Sequence, residues 1–141
     1  MIKAKTEDEI NKMRRAGRVV AKALELFRQM VKPGLRISDL DAAIEELILS
    51  CDAMPAFKGY RGYPATICAS VDDEVVHGIP DSRRLKEGAI VGIDVGALLD
   101  GYYADAAVTL PIGRVSAQAA RLIDAAREAL DAAIQEARPG R

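Results

Sequence analysis

The stretch that decides the fold runs from Ala89 to Leu110, AIVGIDVGALLDGYYADAAVTL. It reads as two largely apolar strands, Ala89–Leu98 and Tyr102–Leu110, each carrying one aspartate, Asp94 and Asp105. Asp100-Gly101 between them is a strong two-residue hairpin signal. With that turn, Leu99 faces Tyr102 and paired residue numbers sum to 201, so Asp94 stands opposite Ala107. Residues two apart share a face of a strand, which puts Asp105 on the face of Asp94. The two are diagonal cross-strand neighbours, with backbones about 7–8 Å apart.

Two carboxylates on one face of an otherwise apolar hairpin repel each other, and burial adds to the cost. A shared proton, an Arg or Lys from elsewhere, or a divalent cation would each compensate, aspartate oxygen being a suitable hard ligand. A solvated face carrying ordinary surface charge is the remaining alternative. Gly92, Gly96 and Ala107 on the same face leave room around the carboxylates, as a cation would need.

Outward from the hairpin, three helices are predicted. The first, about 6–31, has Thr6 and Glu9 in a capping-box pattern. Ile10, Met13, Gly17, Val20, Leu24, Phe27 and Val31 form its apolar stripe, and Lys32-Pro33-Gly34 stops it. The second, about 38–51, starts at Ser38 with Asp39 and Asp41 in its first turn and buries Leu40, Ala43, Ile44, Leu47 and Ile48. The third, about 116–137, is capped by Ser116, with Leu122, Ile123, Ala126, Leu130, Ala133, Ile134 and Ala137 on one face. A short strand at 66–71 precedes the hairpin. Phe57–Pro64 reads as a loop holding three of the six aromatic residues, Phe57, Tyr60 and Tyr63. Aromatics gathered on a loop suit a ligand, with packing on the nearest sheet as the plainer alternative. The whole is an α+β domain over 1–141, an antiparallel sheet covered on one face by helices.

Composition narrows the function. The 141 residues carry a net charge of −1, with 50% hydrophobic and 29% charged. No apolar run approaches the roughly 20 residues of a membrane helix, and MIKAKTEDEI lacks the apolar core of a signal peptide. Near-zero charge argues against a dedicated nucleic-acid binder. Cys51 and Cys68 make no disulfide framework, and a single histidine, His77, excludes motifs built on a histidine pair.

An internal repeat is also present. Shifted by 106 positions, Arg15, Ala23, Leu24, Gln29, Pro33 and Gly34 fall on Arg121, Ala129, Leu130, Gln135, Pro139 and Gly140, and Lys32 falls on Arg138. Both helices thus end on a basic-Pro-Gly stop, as if a second copy of the fold begins at the third helix.

The segment YRGYPATICASVDDEVVHGIP, followed by GIDVGALLDGYYADAAVTLPIG, resembles type I methionine aminopeptidase from about Ile2 to the last residue. Creatinase and prolidase relatives share the aspartate spacing, whereas YRGYP and EVVHGIP favour the aminopeptidase. The resemblance implies half of a pita-bread fold. It implies that Asp94 and Asp105 are two ligands of a dinuclear metal centre, that His77 contacts substrate and the scissile amide, and that Phe57, Tyr60, Tyr63 and Cys68 line the pocket for a methionine side chain. A thioether does prefer aromatic and soft apolar walls. The implied chemistry is metal-assisted hydrolysis of the first peptide bond in the cytoplasm.

The family's second half supplies a histidine, two glutamates and the general base, and Glu128 and Glu136 sit on the wrong element to replace them. One chain then offers two of five ligands. Two divalent cations bring +4 against −2 from Asp94 and Asp105, so a monomer should hold metal weakly. Two copies facing each other give −4, which leads to the expectation of a homodimer, or of a separate second-half chain. The expected cofactors are two divalent ions (Co, Mn, Fe, Zn or Mg) per completed site, and the expected partners are peptide or nascent-chain N-termini. The alternative is a non-catalytic folding or binding module.

Overall fold

The computed structural model describes residues 3–141, so Met1 and Ile2, where the domain and resemblance readings begin, lie outside the described residues. The elements are α1 (Glu7–Met30), α2 (Ile37–Ser50), β1 (Met54–Pro55), a 3-10 turn (Tyr60–Gly62), β2 (Ile67–Val71), β3 (Ile90–Leu99), β4 (Tyr102–Pro111) and α3 (Ala117–Glu136). All strand pairings are antiparallel and centre on β3, which pairs with β4 along its length, with β2 over Val91–Val95 and with β1 at Ala97–Leu98.

α1 starts where its sequence directs. The Thr6 hydroxyl accepts from the Glu9 amide at 3.2 Å, and the Glu9 carboxylate accepts from the Thr6 amide at 2.8 Å. Its buried side differs from the expected stripe. Ala16, Val19, Val20, Ala23 and Phe27 are buried, whereas Ile10 and Met13 are exposed. The two alanines let the helix axis come close to the sheet, which rotates the seam toward the small residues. α1 packs on β3 and β4, and α2 packs on α1, β1 and β2. The core lies between these helices and the sheet face formed by Val91, Ile93, Val95 and Ala97. Fully buried Phe27, Leu40, Ile44, Ile48 and Ile93 each contribute about 1.5–3 kcal/mol of apolar transfer.

Four features differ from expectation. α2 begins at Ile37, behind Arg36, with no side-chain cap bond. Asp41 does more than complement a helix dipole: its Oδ1 accepts the Thr66 and Ile67 amides, both at 2.9 Å, and so anchors the entry to β2. Strand β1, too short for any periodicity, was not foreseen. α3 is capped by Ser116 as expected, but none of its residues is buried. Leu122, Leu130 and Ile134 are 62%, 58% and 62% exposed, so most of its apolar face has no partner among the described residues, Ile123 being half-buried where the start of the helix meets β4. The repeat survives in one detail: Gly34 and Gly140 both take left-handed backbone, at φ 86° and 85°.

Asp41→Ala leaves two buried amides without an acceptor and should lower unfolding free energy by about 2–4 kcal/mol. Asp41→Asn keeps an oxygen there and should cost less than half as much. Urea denaturation measures both, and equal losses would contradict the anchoring role.

Candidate metal centre and its pocket

The hairpin turn has φ 52° at Asp100 and 81° at Gly101, the two positive values a type I′ turn requires. Its register follows, with Leu99 against Tyr102, Asp94 against Ala107 and Gly96 against Asp105. On the other side of β3, Cys68 pairs with Asp94. Cys68, Asp94 and Ala107 therefore lie in line across the sheet face turned away from α1 and α2, and Asp105 sits diagonally from Asp94 on that face.

The two carboxylates differ in environment. Asp105 is exposed and Asp94 is half-buried. The Oδ1 atom of Asp94 is buried and has no hydrogen-bond partner. Burial first, and then the charge of Asp105, push the Asp94 carboxyl up to about 6. No arginine or lysine pairs with either residue in the ion pairs present among the described residues. A buried, unpartnered carboxylate oxygen beside a second carboxylate suits a hard divalent cation in its chemistry. It falls short in number, because no group of three or more His, Cys, Asp or Glu able to hold a metal occurs among the described residues. Glu128 and Glu136 are exposed on α3 and do not contribute.

Phe57, Tyr60, Tyr63, Cys68, His77, Asp94 and Asp105 all line one cavity of about 560 Å³. Phe57 reaches it because residue 96 is glycine: a Cβ there would stand 2.7 Å from the Phe57 ring and 2.9 Å from the Ala56 Cβ. The space at Gly96 is thus filled by the aromatic wall, which corrects the reading of it as room for a cation. The Ala56 amide donates to the Gly96 carbonyl at 3.0 Å and straps this segment to β3. Tyr60 is 66% exposed at the mouth, with the Arg61 guanidinium 5.5 Å from its ring centroid.

Tyr63 differs from its neighbours. Its hydroxyl is committed to backbone, donating toward the Ile67 carbonyl at 2.9 Å and the Gly78 carbonyl at 3.2 Å. Burial, followed by its contact with Cys68, raises the hydroxyl pKa well above the ordinary tyrosine range. The Cys68 thiol is likewise pushed up by burial and stays protonated, a soft apolar wall rather than a nucleophile.

His77 is exposed and adopts φ 60°, an uncommon conformation for a residue with a side chain. The next residue sets it there. A Cβ on Gly78 would collide with the Ala69 carbonyl, so only glycine allows the turn to close on β2. Arg61, Gly78 and Ile79 stand within the YRGYP and EVVHGIP motifs, where sequence assigns them no role of their own. Arg61 and Ile79 join the cavity lining only through loop geometry, whereas a glycine directly after the single histidine was a usable signal.

Residues 11–141 match the metallopeptidase family M24. The chain belongs to that family. It is 46% identical over 140 residues to methionine aminopeptidase 1 of Bacillus subtilis, covering 99% of this chain and 56% of that one. The crystal structure of methionine aminopeptidase from Thermotoga maritima superposes with a TM-score of 0.96 at 43% identity, covering 99% of this chain and 57% of that chain. Prolidase from Pyrococcus furiosus gives 0.71 at 26% identity over 81% of this chain and 32% of its own. The chain spans about half the length of the curated relatives it matches. Its fold is accordingly the amino-terminal half of the pita-bread architecture, α+β with an antiparallel sheet.

The raised Asp94 pKa carries a stability consequence with a definite sign. A folded-state carboxyl pKa above the unfolded value stabilises the fold only at low pH. The cost appears as pH rises through 3.8 and is complete above about 6. At full strength that rise corresponds to about 3 kcal/mol, and partial exposure reduces it to about 1–2 kcal/mol. Asp94→Asn should therefore stabilise the metal-free protein by about 1–2 kcal/mol at pH 7.5, with the difference vanishing toward pH 4. Thermal denaturation across that pH range checks it.

Proposed function

We propose that this chain is the ligand- and pocket-bearing half of a metal-dependent methionine aminopeptidase, acting in the cytoplasm on peptide N-termini. The observation that carries this reading is the single cavity in which aromatic walls end at a pair of convergent carboxylates, one with a buried, unpartnered oxygen. Asp94 and Asp105 would hold divalent cations. When bound, such ions supply Lewis acidity and an acidified water for attack on a peptide carbonyl. Phe57, Tyr60 and Cys68 enclose the methionine side chain, and the Tyr63 ring closes the pocket floor. His77 donates a hydrogen bond to the peptide beside the scissile bond. The apolar walls exclude water from the side chain while the mouth stays open to the amino terminus.

Two carboxylates balance only half the charge of a dinuclear centre. The completing ligands come, in this proposal, from a second copy of the chain facing the first, so that four carboxylates meet two cations. The exposed apolar face of α3 and the exposed end of the cavity support self-association. A second ligand set carried on a separate chain, or on more of the same polypeptide, would supply the same complement. All-oxygen donors accept Co, Mn, Fe, Zn or Mg.

Release of methionine from a Met-Ala peptide, measured with added Co or Mn, tests the proposal. Turnover should stop on chelation and return with metal, and Asp105→Asn should lower it by at least about 100-fold. Turnover insensitive to both would overturn the metal assignment. Saturable peptide binding without turnover, indifferent to chelator, would make the chain a binding module instead.

A further inference from the structure

The turn carrying His77, residues 72–80, contains no helix or strand and exposes Val75, Val76 and Ile79 to solvent at 90%, 65% and 51%. Little apolar burial holds it in place. At its start, the Asp72 amide donates to the Ile90 carbonyl and its carboxylate accepts the Ile90 amide, both at 3.0 Å. Near its end, Gly78 rests on β2, its carbonyl accepting the Ala69 amide at 2.8 Å and its amide donating to the Ser70 hydroxyl at 3.2 Å.

Between these points runs one further connection. Glu74 accepts the Val71 amide through Oε2 at 2.9 Å, and its Oε1 accepts the Arg83 guanidinium at 2.6 Å. Arg83 also donates through Nε to both oxygens of Asp81, at 2.8 and 3.0 Å. The backbone at this end is fixed to the start of α2: the Ile37 amide donates to the Arg83 carbonyl at 3.0 Å, and the Ser38 amide to the Asp81 carbonyl at 2.9 Å. The Glu74 carboxylate stands 3.0 Å from where a Cβ of Gly78 would be, so the brace crosses directly beneath the strained His77–Gly78 step. We infer that Arg83 is a positioning residue, which, through Glu74, ties the His77 turn to α2 and keeps the imidazole at the cavity. The inference rests on the reading of His77 as a substrate contact, but the position of the turn can be measured without activity.

The Ala69 amide reports on the turn, because its acceptor is Gly78, whereas the Ile93 amide reports on the core strand. His77 is the single histidine of the 141 residues, so its imidazole resonance is unambiguous. Arg83→Ala should speed Ala69 amide hydrogen exchange about two- to fivefold, the effect of losing a half-exposed ion pair. It should also shift the His77 resonance while leaving Ile93 exchange and cation affinity unchanged. Glu74→Gln, which keeps the acceptor for Val71 and loses the charge, should fall between parent and Arg83→Ala. Unchanged Ala69 exchange and an unchanged His77 resonance would overturn the inference, as would an equal acceleration at Ile93, which marks general destabilisation. Failure of the aminopeptidase reading shows up separately, as saturable peptide binding without turnover that is indifferent to chelator.

Discussion

The two-residue turn at Asp100-Gly101 sets the register of β3 against β4, and the candidate site depends on that register. Shifting the pairing by one residue would send either aspartate to the opposite face and into the apolar layer beneath α1. The turn is itself tied to α1, because Arg15 donates to Asp100 Oδ2 at 2.6 and 3.1 Å. Both side chains are about half exposed, so the bond contributes orientation more than stability. Stability comes from the other face of the same strands, where Val91, Ile93 and Val95 meet the helices. One hairpin therefore has a dry face that folds the chain and a second face that gathers charge.

The second face is organised by loops strapped to the sheet. Ala56 and Phe57 lie on Gly96, Tyr63 bonds to the backbone at Ile67 and Gly78, and Gly78 closes on Ala69. Each strap is a backbone hydrogen bond or a contact that a larger residue would block. The cavity walls thus take their positions largely from the sheet, with Tyr63 and the His77 turn also joined to each other at the Gly78 carbonyl. Asp94, at the centre, bears the cost of this arrangement as a half-buried carboxyl pushed up to about 6 by burial and by the charge of Asp105.

The hairpin and the convergence of the aspartates were legible in sequence because strand periodicity and a two-residue turn leave one register. The caps at Thr6 and Ser116 were legible for a similar reason: local hydrogen bonds need only local residues. What escaped depends on tertiary approach. The seam of α1 turned toward Ala16 and Ala23 because the sheet comes close there, and periodicity alone cannot rank alanine above Ile10 or Met13. The task of Asp41 lies 25 residues away, at Thr66. Gly96 read as open space and proved to be the seat of Phe57. The apolar face of α3 was legible as a pattern, but its exposure was not, because helical periodicity marks a face without saying whether anything covers it.

Anomalous scattering from crystals grown with cobalt tests the central claim most directly. The expected result is a cobalt peak between the carboxylates of Asp94 and Asp105, on the side open to the cavity, with further oxygen ligands from a facing surface. Cobalt bound elsewhere, with the Asp94 oxygen still unpartnered, would contradict the assignment of this pair as a metal centre.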